Sequence, residues 1–139
     1  MVYSDVIPFE SLTGKHIASV EGLEEGSGEV YFHCADGSSY RMRHYQDCCE
    51  YVQVYDVIGD VSDLLDADVI EAREESSGAP SDVVLARAAA GEYLAESETW
   101  TFYIIQTNKG AVTVRWLGSS NGYYSEAVSF EKLETVNRR

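Results

Sequence analysis

Thr99-Trp-Thr-Phe-Tyr-Ile-Ile-Gln-Thr107, Asn108-Lys109-Gly110 and Ala111-Val-Thr-Val-Arg-Trp-Leu117 follow one another without a break. Both flanking runs are rich in β-branched and aromatic residues. The three residues between them end in glycine, which marks a β-hairpin. With Gly110 in the left-handed position of a three-residue loop, Phe102 faces Trp116 and Ile104 faces Val114. Tyr103 then faces Arg115 on the other side, in reach of a cation–π contact. An earlier stretch repeats the device: Glu29-Val-Tyr-Phe-His-Cys34, Ala35-Asp36-Gly37, Ser38-Ser-Tyr-Arg-Met-Arg43. The same loop length sets Phe32 against Tyr40 and Val30 against Met42. Tyr31 and Arg41, with Glu29 and Arg43, take the opposite face. A two-residue Asp36-Gly37 loop would oppose Phe32 to Arg41 and mix the faces, so the pleat selects the longer loop.

Working outward from the hairpins, Lys15–Val20, Glu50–Ile58 and Val69–Arg73 read as further strands. Asp60-Val-Ser-Asp-Leu-Leu-Asp66 reads as a short capped helical turn. Ser76–Glu98 is rich in Ala, Ser, Gly and Glu. It reads either as a helix with Ser81 as N-cap, Val83–Ala90 as body and Gly91 as stop, or as a mobile insertion. Tyr123–Phe130 reads as the last strand, with a frayed tail after Leu133. The expected fold is β-rich α+β: a twisted antiparallel sheet or partly closed barrel of about six or seven strands, with one or two short helices. One domain is expected over residues 1–139, with an exposed insertion at 76–98.

The chain has 139 residues, 45% of them hydrophobic, and a formal charge of −14. Residues 46–99 hold 14 acids against two bases, a balance of −12, whereas residues 100–139 balance at +2. So acidic a middle repels nucleic acid at long range and argues against direct DNA or RNA binding. The positive C-terminal third leaves room for a small anion. An odd cysteine count, with Cys48 and Cys49 adjacent and Cys34 apart, makes a poor disulfide framework and points to reduced thiols in a cytoplasm. No secretory leader and no apolar run of membrane-spanning length is read in the sequence.

Three constellations carry chemistry. His44, Asp47, Cys48, Cys49 and Glu50 suggest metal ligands, but adjacent cysteines in a strand point to opposite faces, and a zinc site needs four convergent donors. The plainer reading is a packed cysteine beside a turn shaped by Asp47 and Glu50. Cys–His catalysis through His33 or His44 would need a thiolate, which acidic surroundings disfavour. Asp56, Asp60, Asp63, Asp66 and Asp68 form an acidic ladder without EF-hand spacing. It reads as a solvated face, or as a row of carboxylates imitating DNA phosphates. Ser119-Ser-Asn-Gly-Tyr-Tyr-Ser125 is either a plain turn with packed tyrosines or a binding loop, tyrosine supplying contact area at low entropy cost.

At His44-Tyr-Gln-Asp-Cys-Cys-Glu50, Thr99-Trp-Thr-Phe-Tyr103, Lys109-Gly110, Arg115-Trp116 and Ser120-Asn-Gly-Tyr-Tyr-Ser125, the chain resembles an uncharacterised small domain family common in bacteriophage and prophage genomes. The resemblance covers roughly residues 13–133 and implies a phage accessory protein working in the host cytoplasm. It implies no reaction.

The resulting expectation is a non-enzymatic protein, without cofactor or metal, that counteracts the host or its defences by binding. The first candidate ligand is a small anionic, nucleotide-type immune signal. Arg115, Tyr103, Asn121, Tyr123, Tyr124 and Ser125 are the candidate ligand-binding residues, Arg115 for its five donors and planar stacking surface. The alternative is an inhibitor of a host or defence protein, a DNA mimic acting through residues 56–75. A small metal- or cysteine-dependent enzyme is the third reading. No membrane partner is expected, and self-association is compatible with the sequence.

Overall fold

The computed structural model describes residues 2–92 and 97–135. Its strands are β1 (Val2–Val6), β2 (His16–Glu21), β3 (Glu29–Cys34), β4 (Ser39–Arg43), β5 (Tyr51–Ile58), β6 (Ala67–Ser77), β7 (Ser97–Thr107), β8 (Ala111–Ser120) and β9 (Ser129–Thr135). They form one antiparallel sheet in the order β1-β9-β4-β3-β2-β6-β7-β8-β5. One α-helix, α1 (Ser81–Ala90), and two 3-10 turns, Phe9–Leu12 and Val61–Leu64, complete the described residues. The sheet twists and bends but does not close into a barrel.

The bend lies at the β2–β6 seam, where only His16↔Asp68 and Ile17↔Ala67 pair. Gly14 and Lys15 extend the seam by bonding Val69 in both directions, at 2.8 Å each. Bending turns the inner faces of the two halves toward each other. Phe9 fills the gap, its ring 4.8 Å from Tyr103 of β7 and 5.1 Å from Phe130 of β9. Around it Val30, Phe32, Tyr40, Met42, Ile105, Val114 and Trp116 are buried in one core cluster. At the β5 edge, Val54 exchanges hydrogen bonds with Gly26 and Ser27 at 2.8 Å each, so the β2–β3 loop covers part of that edge.

The first hairpin has the expected register, Glu29↔Arg43 through Phe32↔Tyr40, and Gly37 takes the required left-handed conformation with φ 89°. The second hairpin is displaced by one residue. Phe102 pairs with Arg115, Tyr103 with Val114 and Thr101 with Trp116, so Phe102 and Trp116 lie on opposite faces. The cause is Thr107, which pairs with Gly110 through its backbone at 2.8 Å. Its hydroxyl also accepts from the N–H groups of Lys109 and Gly110. Only Asn108 and Lys109 remain in the loop. Asp63 packs into the space beside Gly110: a Cβ there would lie 2.5 Å from its carboxylate, which would have to swing aside.

Asp60 caps the Val61–Leu64 turn by accepting from Ser62 N at 3.0 Å. Helix α1 begins at Ser81, two residues before the expected body, with Pro80 instead of Ser81 as its N-cap, and is capped by Gly91. It packs on the outer face of β7 and β8 through the buried Val83, with Arg87 5.7 Å over the Trp100 ring. The segment expected as an insertion therefore has strand at both ends, Ser76–Ser77 in β6 and Ser97–Glu98 in β7, and a docked helix between; residues 93–96 lie outside the described residues. The last strand starts at Ser129 instead of Tyr123 and is zipped between β1 and β4. The tail expected after Leu133 is strand as far as Thr135, and residues 136–139 lie outside the described residues.

Candidate functional site

Two loops meet at one end of the sheet. The first follows β4. His44 Nδ1 bonds the Ala127 carbonyl at 2.7 Å, and Nε2 bonds Glu50 at 2.5 Å. Glu50, 3% exposed, also accepts from the N–H groups of Asp47 and Cys48 at 2.9 Å each. The His44 bond and these backbone donors outweigh desolvation and hold its carboxyl at about 2. The Gln46 amide bonds the carbonyls of Cys48 and Glu50. Cys48 and Cys49 are joined by a disulfide in this turn, so the expectation of three free thiols is corrected. The strand geometry that separated their side chains does not apply, because Glu50 folds residues 44–50 into a turn. Cys34 is buried and free, and its thiol pKa is pushed up by that burial.

The second loop runs from the end of β8 to β9. Gly118 lets the returning chain lie flat against it, since a Cβ there would come 2.7 Å from Glu126 Cβ and 2.8 Å from the Glu126 carbonyl oxygen. The buried Glu126 carboxylate accepts from the Thr99 hydroxyl at 2.8 Å and from the Ser120 hydroxyl. Burial raises its pKa, but hydrogen bonds from Ser120, Thr99 and Ser97 outweigh that and hold it below the ordinary range. Ser120 Oγ accepts from Gly122 N, Asn121 Oδ1 from Tyr123 N and Ser125 Oγ from Ala127 N. These side chains satisfy the loop's own backbone and keep residues 121–128 out of the ladder.

Between the loops is a shallow pocket of about 240 Å³ lined by Cys49, Tyr51, Ser119, Ser120, Asn121 and Tyr124. Three tyrosines at this end are widely open to solvent: Tyr45 at 48%, Tyr51 at 64% and Tyr123 at 82%. Tyr123 meets Tyr124 edge-on at 5.0 Å. Tyr45 is anchored by its hydroxyl to the fully buried Glu131, which also accepts from Arg41 and Arg43 at 3.1 Å each. The Arg43 guanidinium lies 4.3 Å over the Tyr45 ring.

The six residues singled out from the sequence are not one constellation. Asn121 and Tyr124 line the pocket, Tyr123 stands beside it, and Ser125 is exposed at the loop's exit. Tyr103 is fully buried, with its hydroxyl 3.4 Å from the Val128 carbonyl. The one-residue register change puts it on the face opposite Arg115. Arg115 is itself buried and clamped, four of its five donors being used: it donates to Asp56 at 2.6 and 2.5 Å and to Asp82 at 3.1 Å twice. Two carboxylates on one guanidinium leave a net negative charge, which repels an anion. Of the other lining residues, Ser119 and Ser120 belong to the stretch read as a turn or a binding loop and Cys49 to the constellation weighed as a metal site, whereas Tyr51 was not singled out.

The acidic ladder is largely spent on structure. Asp56 holds Arg115, Asp60 caps a turn, and Asp66 and Asp68 grip His16 at 2.6 and 2.7 Å. Glu71 and Glu75 pair with Arg73. A larger open cleft of about 550 Å³ has two carboxylates, Glu10 and Glu74, over a floor that includes Phe9 and Phe130. Among the described residues no three His, Cys, Asp or Glu side chains converge as metal ligands, and no helix is long and apolar enough to cross a membrane.

Neither a curated protein nor a solved structure matches the chain. A family model, described as a domain of unknown function (DUF7448), matches residues 10–130, which takes in both loops of the pocket. The chain therefore belongs to the DUF7448 family.

Proposed function

We propose that this protein is a non-enzymatic binding module, an accessory protein of the kind phage genomes carry, which acts on a host or defence component through its tyrosine-rich loop end. One observation carries the reading: the His44–Glu50 and Ser120–Ser125 stretches, far apart in the chain, are locked together by His44 and Ala127 into one surface bearing three open tyrosines. Rigid loops with exposed Tyr, Ser and Asn are the composition of contact surfaces, because each ring adds area while fixing only two side-chain torsions. The chemistry at this end suits recognition better than turnover. Glu50 and Glu126 are committed as acceptors inside the loops, and Cys49 is tied to Cys48. The small-anion reading loses its anchor, since Arg115 is already clamped between the carboxylates of Asp56 and Asp82.

The test is capture from a bacterial lysate with immobilised wild-type protein and with a Tyr51→Ala/Tyr123→Ala double variant, the bound material being identified by mass spectrometry. A component held by the wild type and lost from the folded double variant supports the reading. Equal capture by both removes the loop end from consideration.

A further inference from the structure

We infer that the pocket between the two loops takes one neutral pyranose ring of a glycan. The inference rests on the loop-end reading and names its ligand class. Charged residues make up 24% of the chain, yet Cys49, Tyr51, Ser119, Ser120, Asn121 and Tyr124 bring no formal charge to the lining. A cation finds no free carboxylate there, because the nearby Glu50 and Glu126 are buried and bonded within their own loops. An anion meets a molecule of charge −14 with no base in the lining.

The unused hydrogen-bonding groups narrow the class further. Among the described residues, the hydroxyls of Tyr51, Tyr124 and Ser119 have no protein partner. Asn121 spends its oxygen on Tyr123 N and keeps its amide donors. Hydroxyls both donate and accept, so they match a ligand whose own polar groups do the same. A wholly apolar ligand would strand them. The two tyrosine rings call for an apolar face as well. A pyranose presents C–H groups on one face and hydroxyls around its rim, and meets both demands. The volume of about 240 Å³ is below the roughly 300–1,000 Å³ of pockets that enclose a drug-sized ligand, so it seats one ring, with further sugars running over Tyr123.

The experiment is a titration of the full chain, followed by two-dimensional amide NMR. The probes are methyl α-D-glucopyranoside, methyl β-D-galactopyranoside, N-acetylglucosamine and its trisaccharide, with adenosine and glucuronate for comparison. A single ring is expected to bind with a Kd on the order of 1 mM. At least one neutral sugar should shift the amides of Cys49, Tyr51, Ser119, Ser120, Asn121 and Tyr124. Tyr51→Ala and Asn121→Ala should each weaken that binding about ten-fold or more, while Tyr51→Phe keeps the stacking and loses less. Spectra unchanged away from the pocket establish that each variant is folded. Absence of shifts with every neutral sugar at tens of millimolar overturns the proposal, as does stronger binding of adenosine or glucuronate at the same residues. If the sugars fail while lysate capture still depends on Tyr51 and Tyr123, only the sugar assignment falls. If capture is also indifferent to them, the loop-end reading falls with it.

Discussion

Replacing Arg115 with alanine should loosen the molecule without touching its contact surface. Arg115 is 8% exposed, and its guanidinium ties β8 to Asp56 of β5 and to Asp82 of α1. The Asp56 pair dominates, being shorter, at 2.6 and 2.5 Å, and only 29% exposed on its carboxylate side, whereas Asp82 keeps 66% exposure and is screened by water. Removing one member of a mostly buried pair costs about 3–5 kcal/mol, because the other charge is stranded. Asp56 retains some water, which places the loss at the low end, ~3 kcal/mol. Unfolding entropy of about 2.1 cal/mol/K per residue over 139 residues converts this into a Tm lower by roughly 10 °C. Urea unfolding followed by tryptophan fluorescence should show the lower midpoint with an unchanged m value. Replacing both partners, Arg115→Met with Asp56→Leu, should recover most of the loss, since no charge is then left alone. A single variant within about 1 kcal/mol of wild type, or a double variant no better than the single, would refute the clamp.

Further outcomes follow from the same contacts. Glu50 is held at about 2, below its ordinary 4.5, so its stabilisation is complete above about 4.5 and fades as pH falls toward 2. Glu50→Gln should flatten the acid limb of stability in that window, and an unchanged limb would place the acid sensitivity elsewhere. Phe9→Ala removes the ring shared by Tyr103 and Phe130 and should cost about 3–5 kcal/mol in urea unfolding. A loss under about 1 kcal/mol would mean the two halves of the sheet do not depend on it. Alkylation of unfolded, unreduced protein should label Cys34 alone, and labelling of all three cysteines would contradict the Cys48–Cys49 bridge.

The sequence was most legible where one local rule acted alone. Gly37 has to be left-handed and the alternation from Val30 to Met42 is clean, so the first hairpin could be read to the residue. The second hairpin looked the same, but a glycine has two uses. Gly110 makes room for Asp63, a residue far away in the chain, and the Thr107 hydroxyl closes a tighter turn. That one-residue difference put Tyr103 in the core and Phe102 beside Arg115, which keeps its expected place on the outer face and meets Asp56 and Asp82 there. Ser120–Ser125 was recognisable as a loop of contact-forming residues. Its partner loop was not, because nothing local says that His44 reaches Ala127 or that Gly118 leaves space for Glu126. The start of the last strand was misjudged for a related reason: a buried glutamate before Ser129 interrupts what reads as continuous alternation.

The pairing of β1 with β9 gives the molecule a timetable. Val2 pairs with Thr135 and Val6 with Glu131, so β1 has no partner until β9, more than a hundred residues further along, has been made. At about 5–20 residues per second, the wait is on the order of ten seconds. Arg41 and Arg43 share it, since the carboxylate that joins them is Glu131. Contacts of such long sequence separation make folding slow. The hairpin of β3 and β4 can close early, with its two arginines still held by water, and β9 then arrives as the wedge that enters between β1 and β4 and completes the sheet.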